Sequence, residues 1–335
     1  MVDELANIGF YTLSDDRAKN ASSTSRLMRC ELILTSRCNF SCPYCRHVGG
    51  KDIKFEDAIN IVDLWAKDNL RAIRFSGGEP TIWYGKINDD RCLLSHVVKH
   101  CVEKNIEKIA ISTNGSAKLC LYEDLITNGE NDISISLDAC CAEDGDKMAG
   151  GVKGAWDIVV SNIKSLSKLV YVTVGVVLTN DNVGKVNDII RFADGLGVAD
   201  IRIIPAAQDG NRLKDVYVDD DLLKKHPILA YRIANIQANK PVRGLQPNDY
   251  NRCGLVLDDM ACCDNKHFPC IIYMREGGNP IGAIGPDMRK DRLEWFLNHN
   301  TKNDPICSSN CLDVCCNHNR IFRDTNPLGK TCDIP

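Results

Sequence analysis

The chain has 335 residues, 44% of them hydrophobic and 26% charged, with a formal net charge of −4. That is the make-up of a globular chain with a substantial core, without the basic excess of a general nucleic-acid binder. No run of about 18 apolar residues is present to span a membrane, and the amino terminus lacks the basic and apolar regions of a secretory signal, so the expected compartment is the cytoplasm.

Residues 1–29 read as an amino-terminal extension. From residue 30 to about 215, short apolar runs alternate with helix-period segments. The strand candidates are CELILT (30–35), AIRFSG (72–77), KIAIST (108–113), DISISL (132–137), YVTVGVVL (171–178) and DIRIIP (200–205). They are rich in Ile and Val and apolar on both faces, as in a parallel sheet covered by helices. Between them, FEDAINIVDLWAKD aligns Phe55, Ile59, Val62 and Trp65 on one helix face, and GAWDIVVSNIKSLSKL aligns Trp156, Val160, Ile163 and Leu166. VGKVNDIIRFADGLG repeats the pattern and ends at a glycine C-cap. Six strand-then-helix units predict an α/β fold, either a doubly wound sheet or a partial, TIM-like (β/α)6 barrel. Residues 216–252 follow as a helix, broken or begun near Pro227, and a linker.

Residues 253–335 differ in character. Nine of the eighteen cysteines fall between Cys253 and Cys332, and apolar periodicity is weak. Without a secretory signal, so many cysteines point to metal or redox chemistry rather than to a disulfide framework. A segment this poor in apolar surface needs bound metal to organise it.

A separate trio, CNFSCPYC (38–45), follows the first strand. Structural zinc and iron–sulfur sites normally take four protein ligands, and this stretch supplies three. The loop falls at the carboxyl end of a parallel strand, where functional residues gather. A half zinc site completed by a remote Cys or His is the alternative. The second strand ends in FSGGEP (75–80). Gly77 and Gly78 allow close approach of backbone to a ligand, and Glu79 adds a carboxylate; a plain glycine turn would look the same in isolation.

Together these segments resemble the radical S-adenosylmethionine (SAM) superfamily. Its signature, Cys-x3-Cys-x-aromatic-Cys, is matched by Cys38, Cys42, Tyr44 and Cys45. The resemblance spans roughly residues 30–205 and continues through ISTNG (111–115) and ISLDA (135–139). It implies a 4Fe-4S cluster held by three thiolates, with one iron left open for the amino and carboxylate groups of SAM. Reduction of the cluster then cleaves SAM to methionine and a hydrogen-abstracting 5′-deoxyadenosyl radical. By position, Gly77, Gly78 and Glu79 are expected at the SAM amino group, and Tyr44 and the backbone of 203–205 near the adenine. Ser136 and Asp138 are expected at the ribose or carboxylate, though turn and capping roles fit Asp138 equally. Asn114 is expected to line the cavity, or else to serve a turn. His47 reads as a supporting or surface residue. A flavodoxin or ferredoxin is the implied electron donor.

The tail resembles the SPASM or twitch extensions of some radical SAM enzymes, which carry one or two auxiliary 4Fe-4S clusters for electron transfer or substrate binding. HFPCIIYMREGGNPIGAIG is expected to form the extension's hairpin, followed by a helix at RLEWFLNH. The implied ligands are Cys253, Cys270, Cys307, Cys311, Cys316 and Cys332, with one of Cys262 or Cys263, here Cys263. The spacing Cys307-x3-Cys311-x3-Cys315, with Cys316 adjacent, departs from the family's Cys-x2-Cys-x5-Cys-x3-Cys. That puts a second auxiliary cluster in doubt, and a single structural zinc is the alternative. The remaining cysteines, at 30, 92, 101, 120, 140 and 141, read as core packing.

A further resemblance, of CCNHNRIFRDTNPLGKTC to the tail of the GTP cyclases of molybdenum-cofactor synthesis, keeps nucleotide-like substrates open, with Arg320 and Arg323 as anion contacts. The terminal CDIP, in place of that family's double glycine, argues against the same activity. The overall expectation is a radical SAM oxidoreductase or lyase-type enzyme acting on a small-molecule or nucleotide-like substrate. A peptide maturase is the alternative; such enzymes often carry an added amino-terminal peptide-binding domain, for which 29 residues are too few. A non-catalytic zinc or iron–sulfur scaffold is the alternative of another class.

Overall fold

A computed structural model describes residue 5 and residues 11–46, 50–83, 93–208 and 216–330. His47, Cys92 and Cys332 lie outside the described residues. Six strands, β1 (Arg29–Thr35), β2 (Ala72–Gly77), β3 (Lys108–Thr113), β4 (Asp132–Ser136), β5 (Tyr171–Leu178) and β6 (Asp200–Pro205), form where the apolar runs place them. All five pairings among them are parallel. Their order, β6-β5-β4-β3-β2-β1, never reverses. A doubly wound sheet needs a reversal, so the architecture is the partial (β/α)6 barrel.

The covering helices are α2 (Phe55–Lys67), α3 (Leu93–Glu103), α4 (Leu119–Thr127), α5 (Ala142–Met148), α6 (Ala155–Leu166) and α7 (Val186–Gly195), preceded by α1 (Asp15–Asn20). The buried stripe of α2 is Ala58, Ile61, Val62 and Trp65, so Phe55 and Ile59 sit at its margin. In α6 the buried stripe is Ala155, Val159, Asn162, Ile163 and Leu166, which turns Trp156 partly outward. Helices α8 (Asp220–Lys225) and α9 (Pro227–Gln237) divide at Pro227 as the sequence indicates, because proline fits the first turn of a helix and not its interior.

The cysteine-rich segment joins the same sheet. β7 (Asp259–Cys263) pairs parallel with β1, and β8 (Lys266–Phe268) and β9 (Gly282–Ala283) extend it antiparallel. Asp264 and Asn265 make the β7–β8 turn with φ of 50° and 58°, the left-handed pair that a two-residue hairpin favours. The hairpin therefore begins earlier than expected. The segment after Cys270, expected within it, is the short helix α10 (Ile271–Arg275). Helix α11 (Met288–Asn298) covers the predicted RLEWFLNH up to its last residue, and α12 (Pro305–Asn310), α13 (Asp313–Thr325) and α14 (Pro327–Lys330) follow. The amino-terminal extension is tied to this segment by Arg17, whose buried guanidinium donates to both carboxylate oxygens of Asp258 at 3.0 and 2.6 Å.

Candidate active site

The loops after β1, β2, β3 and β4 meet at the carboxyl end of the barrel around a cavity of about 210 Å³. Cys38, Cys42 and Cys45 line it, with Phe40 and Tyr44 from the same loop. The second-strand loop supplies Ser76, Gly77 and Gly78, the third Asn114, and the fourth Ser136 and Asp138. The residues the sequence places here are thus brought together, apart from Glu79 and the backbone of 203–205, which do not line the cavity.

Glu79 is fully buried and does not line the cavity. Its carboxylate accepts from the Thr81 N–H at 3.0 Å, the Thr81 hydroxyl at 2.6 Å, the Thr113 hydroxyl at 2.7 Å and the Asn114 N–H at 2.7 Å. Asn114 in turn donates its side-chain amide to Asn39 Oδ1 at 2.9 Å and lies 3.8 Å from Cys38 Sγ. The carboxylate therefore fixes the β3 turn, and the turn fixes the cysteine loop.

The two glycines serve the same assembly. The Gly78 N–H donates to Thr35 O at 2.8 Å, and the Glu79 N–H donates to Arg37 O at 2.8 Å. A Cβ on Gly78 would lie 2.0 Å from Arg37 O, and one on Gly77 2.3 Å from Thr35 O. Gly77 also has φ +149°, which disfavours any other residue. The close approach expected here is real, and the partner crowding both Cβ positions is the root of the cysteine loop.

On the fourth strand, the Tyr44 phenol donates to Asp138 Oδ2, and the Val177 N–H donates to Asp138 Oδ1 at 2.6 Å. Burial pushes the Asp138 carboxyl up to about 6, with these two donors opposing the shift. Ser136 is exposed to the cavity. The Pro205 carbonyl accepts from Arg243 Nε at 3.0 Å. Phe40, Met148, Trp156 and Val159 form an apolar wall, and Arg275 enters from the cysteine-rich segment. Nothing local in the sequence marks Arg275 or Trp156, since both arrive from helices distant in the chain.

A second cavity lies among β1, α10, α12 and α13. It is lined by Cys253, Cys270, Cys307, Cys311 and Cys315, with Arg29, Asp259, Tyr273 and Trp295. Cys263 packs instead with Ile33, Ala261, Phe268 and Met274, and Cys262 belongs to the main core. Of the other doublet, Cys315 faces the cavity while Cys316 touches Cys311 outside it. The Cys311 hydrogen bond pulls the Cys315 thiol down, and Arg29 adds to this. Burial pushes Cys42 and Cys270 up to about 12, so metal binding there releases protons. His299, stacked on Trp295, lies 4.0 Å from Cys307 Sγ and 3.4 Å from Asp304. Of the cysteines assigned to packing, Cys30 and Cys101 are buried, Cys140 is partly buried, and Cys120 and Cys141 are exposed. Arg320 and Arg323 bond to Asn317 and Asp324 on α13 and line neither cavity.

Soft thiol sets of three and five, each converging on one cavity, fit iron–sulfur chemistry. Residues 32–193, just under half of the chain, match the radical SAM superfamily. The cofactors of that superfamily are a 4Fe-4S cluster and SAM.

It is 28% identical over 180 residues to a "Probable GTP 3′,8-cyclase" of Saccharolobus solfataricus, covering 52% of this chain and 55% of that protein. A protein of the same description from Pyrococcus abyssi is 31% identical over 166 residues, covering 48% and 51%. The chain thus spans about half the length of these curated relatives. Among solved structures, anSMEcpe with bound AdoMet and Kp18Cys peptide gives a TM-score of 0.59 at 15% identity, covering 89% of this chain and 96% of that one. SuiB of Streptococcus suis bound to S-adenosylmethionine gives 0.57 at 16%, covering 91% and 72%. These last are likenesses of fold, and their coverage runs past the barrel into the cysteine-rich segment. No described helix is long and apolar enough to cross a membrane.

Proposed function

We propose that Cys38, Cys42 and Cys45 hold the 4Fe-4S cluster and that SAM binds across Gly77, Asn114, Ser136 and Asp138. The observation that carries this is the convergence of the three thiols with the ends of β2, β3 and β4 on one cavity. When bound and reduced, the cluster would supply an electron for the cleavage of SAM. The protein's part is positional. Glu79 and Asn114 hold the cysteine loop, Tyr44 and Asp138 brace the far side, and the apolar wall keeps water from the reacting bond. The donor of the electron is a flavodoxin- or ferredoxin-type protein.

In the second cavity, Cys253 and Cys270 are electrostatic neighbours of each other and of both Cys307 and Cys315. They are the proposed ligands of one auxiliary 4Fe-4S cluster, with Cys311 as a fifth thiol bonded to Cys315. Four thiolates close such a cluster, so this site favours electron transfer over direct substrate ligation. The substrate is a small or nucleotide-like molecule. The size of the cavity supports this, as does the GTP named in the descriptions of the curated relatives.

The test is anaerobic reconstitution, iron counting and a 5′-deoxyadenosine assay under reduction. About eight irons per chain are expected, falling to about four in Cys42→Ala, with SAM cleavage lost in that variant. Absence of SAM cleavage by the iron-replete wild type refutes the reading. Hydrogen transfer from deuterated nucleotides or peptides to 5′-deoxyadenosine then identifies the substrate class.

A further inference from the structure

We infer that Arg275 is a specificity-determining residue that anchors an anionic group of the substrate, a carboxylate or a phosphate, in the radical cavity. The inference rests on the proposed function of that cavity and narrows its substrate class.

Arg275 ends α10, the helix whose N-cap is Cys270. One short helix therefore runs from the auxiliary cysteine cavity to the radical cavity. At about 1.5 Å per residue, its five residues span less than about 10 Å. At its far end the Arg275 guanidinium crosses to the barrel, where Nη2 donates to Gly77 O at 3.1 Å. This contact fixes the head group at the mouth of β2, on the wall of the cavity that the cysteine trio lines.

No other hydrogen bond and no carboxylate partner of Arg275 is present among the described residues. The adjacent Glu276 does not neutralise it, because Glu276 pairs with Arg46 at 3.0 Å. Arg46 directly follows Cys45, so that ion pair also docks the end of α10 onto the cysteine loop. Arg275 is the only lysine or arginine lining the cavity among the described residues. A guanidinium stays charged and offers its donors in a planar fork that matches carboxylate or phosphate oxygens. One donor is spent on Gly77, and no hydrogen bond of Nε or Nη1 to a protein acceptor is present among the described residues. Phe40, Met148, Trp156 and Val159 give the same cavity an apolar lining. The arrangement selects a substrate with an anionic end at β2 and an uncharged body against α6.

The test uses the cluster-reconstituted enzyme with SAM present. Two probes are titrated by calorimetry: inorganic pyrophosphate as the phosphate and malonate as the carboxylate. The expected result is saturable binding of at least one probe. Its affinity should weaken about tenfold or more in Arg275→Gln and return in part in Arg275→Lys, and the responding probe names the source of the anion. No saturable binding to the wild type, or undiminished binding to Arg275→Gln, overturns the inference.

SAM titrated alone separates the remaining source. If the Gln variant loses affinity for SAM and not for the probe, the guanidinium serves the SAM carboxylate, which also overturns it. Should the Gln variant melt far below the wild type, Arg275→Lys decides, since it keeps the charge but not the fork. An undiminished affinity for both probes in the Lys variant counts against the inference. Probe binding without SAM cleavage would strike the proposed function and leave the anion site standing, and the reverse pattern would strike only the anion site.

Discussion

Replacing Gly78 by alanine tests whether the cysteine loop is positioned by the second strand. The added Cβ would sit 2.0 Å from Arg37 O, 2.5 Å from Arg37 C and 2.8 Å from Ser36 O. All three atoms are backbone, so no side chain can swing away. Restoring an ordinary contact of about 3.4 Å requires the two backbones to part by about 1.4 Å. That separation breaks the bond between the Glu79 N–H and Arg37 O. Overpacking of this kind costs about 1–3 kcal/mol and the lost bond about 1 kcal/mol more, so destabilisation of about 2–4 kcal/mol is expected. The functional effect should be larger than the loss of stability. Arg37 directly precedes Cys38, and a displacement of about 1 Å at a reacting site costs about a hundredfold in rate. The assay is 5′-deoxyadenosine formation with iron counting, and Gly195→Ala is the control because its added methyl meets nothing within 4 Å. SAM cleavage by Gly78→Ala within twofold of the wild type would refute the reasoning.

Two further outcomes follow from the geometry. Asp138 has a folded-state pKa of about 6 against an ordinary value of 3.8. Its favourable contribution is therefore present below about pH 4 and lost as pH rises through about 6, worth about 3 kcal/mol in full. Asp138→Asn stays neutral and can keep both neighbours, so in thermal melts without SAM its advantage over the wild type should grow from pH 4 to pH 7.5; a constant difference counts against the buried-acid account. Cys315→Ala should lose the iron of the auxiliary site, about four atoms per chain, while Cys316→Ala retains it; equal losses in both variants would remove the structural basis for choosing Cys315.

The barrel strands are legible because each is a contiguous apolar run, and β2, β3, β5 and β6 match the runs residue for residue. The β1 loop is legible for a similar reason: three thiols within eight residues are local, and the loop is placed by the strand it follows. Other features depend on partners far along the chain. β7 is hard to see in DMACC because its stability comes from pairing with β1, some 230 residues earlier, and parallel pairing needs no local turn to announce it.

Neighbouring cysteines also carry equal chemistry, so the sequence can say that one member of each doublet is inward without saying which. For Cys315 and Cys316 the rotation of α13 against its neighbours chooses, and for Cys262 and Cys263 both members end in packing. The sequence by itself determined the class of chemistry: an open three-thiol loop at a barrel mouth, with glycines and polar residues at the next strand ends. Only the tertiary structure decided that Glu79 is a buried brace, that the glycines make room for the cysteine loop, and that Arg275 reaches the cavity. Each of those depends on which backbone or cavity a side chain meets, and such meetings are set by packing between elements that local sequence does not encode.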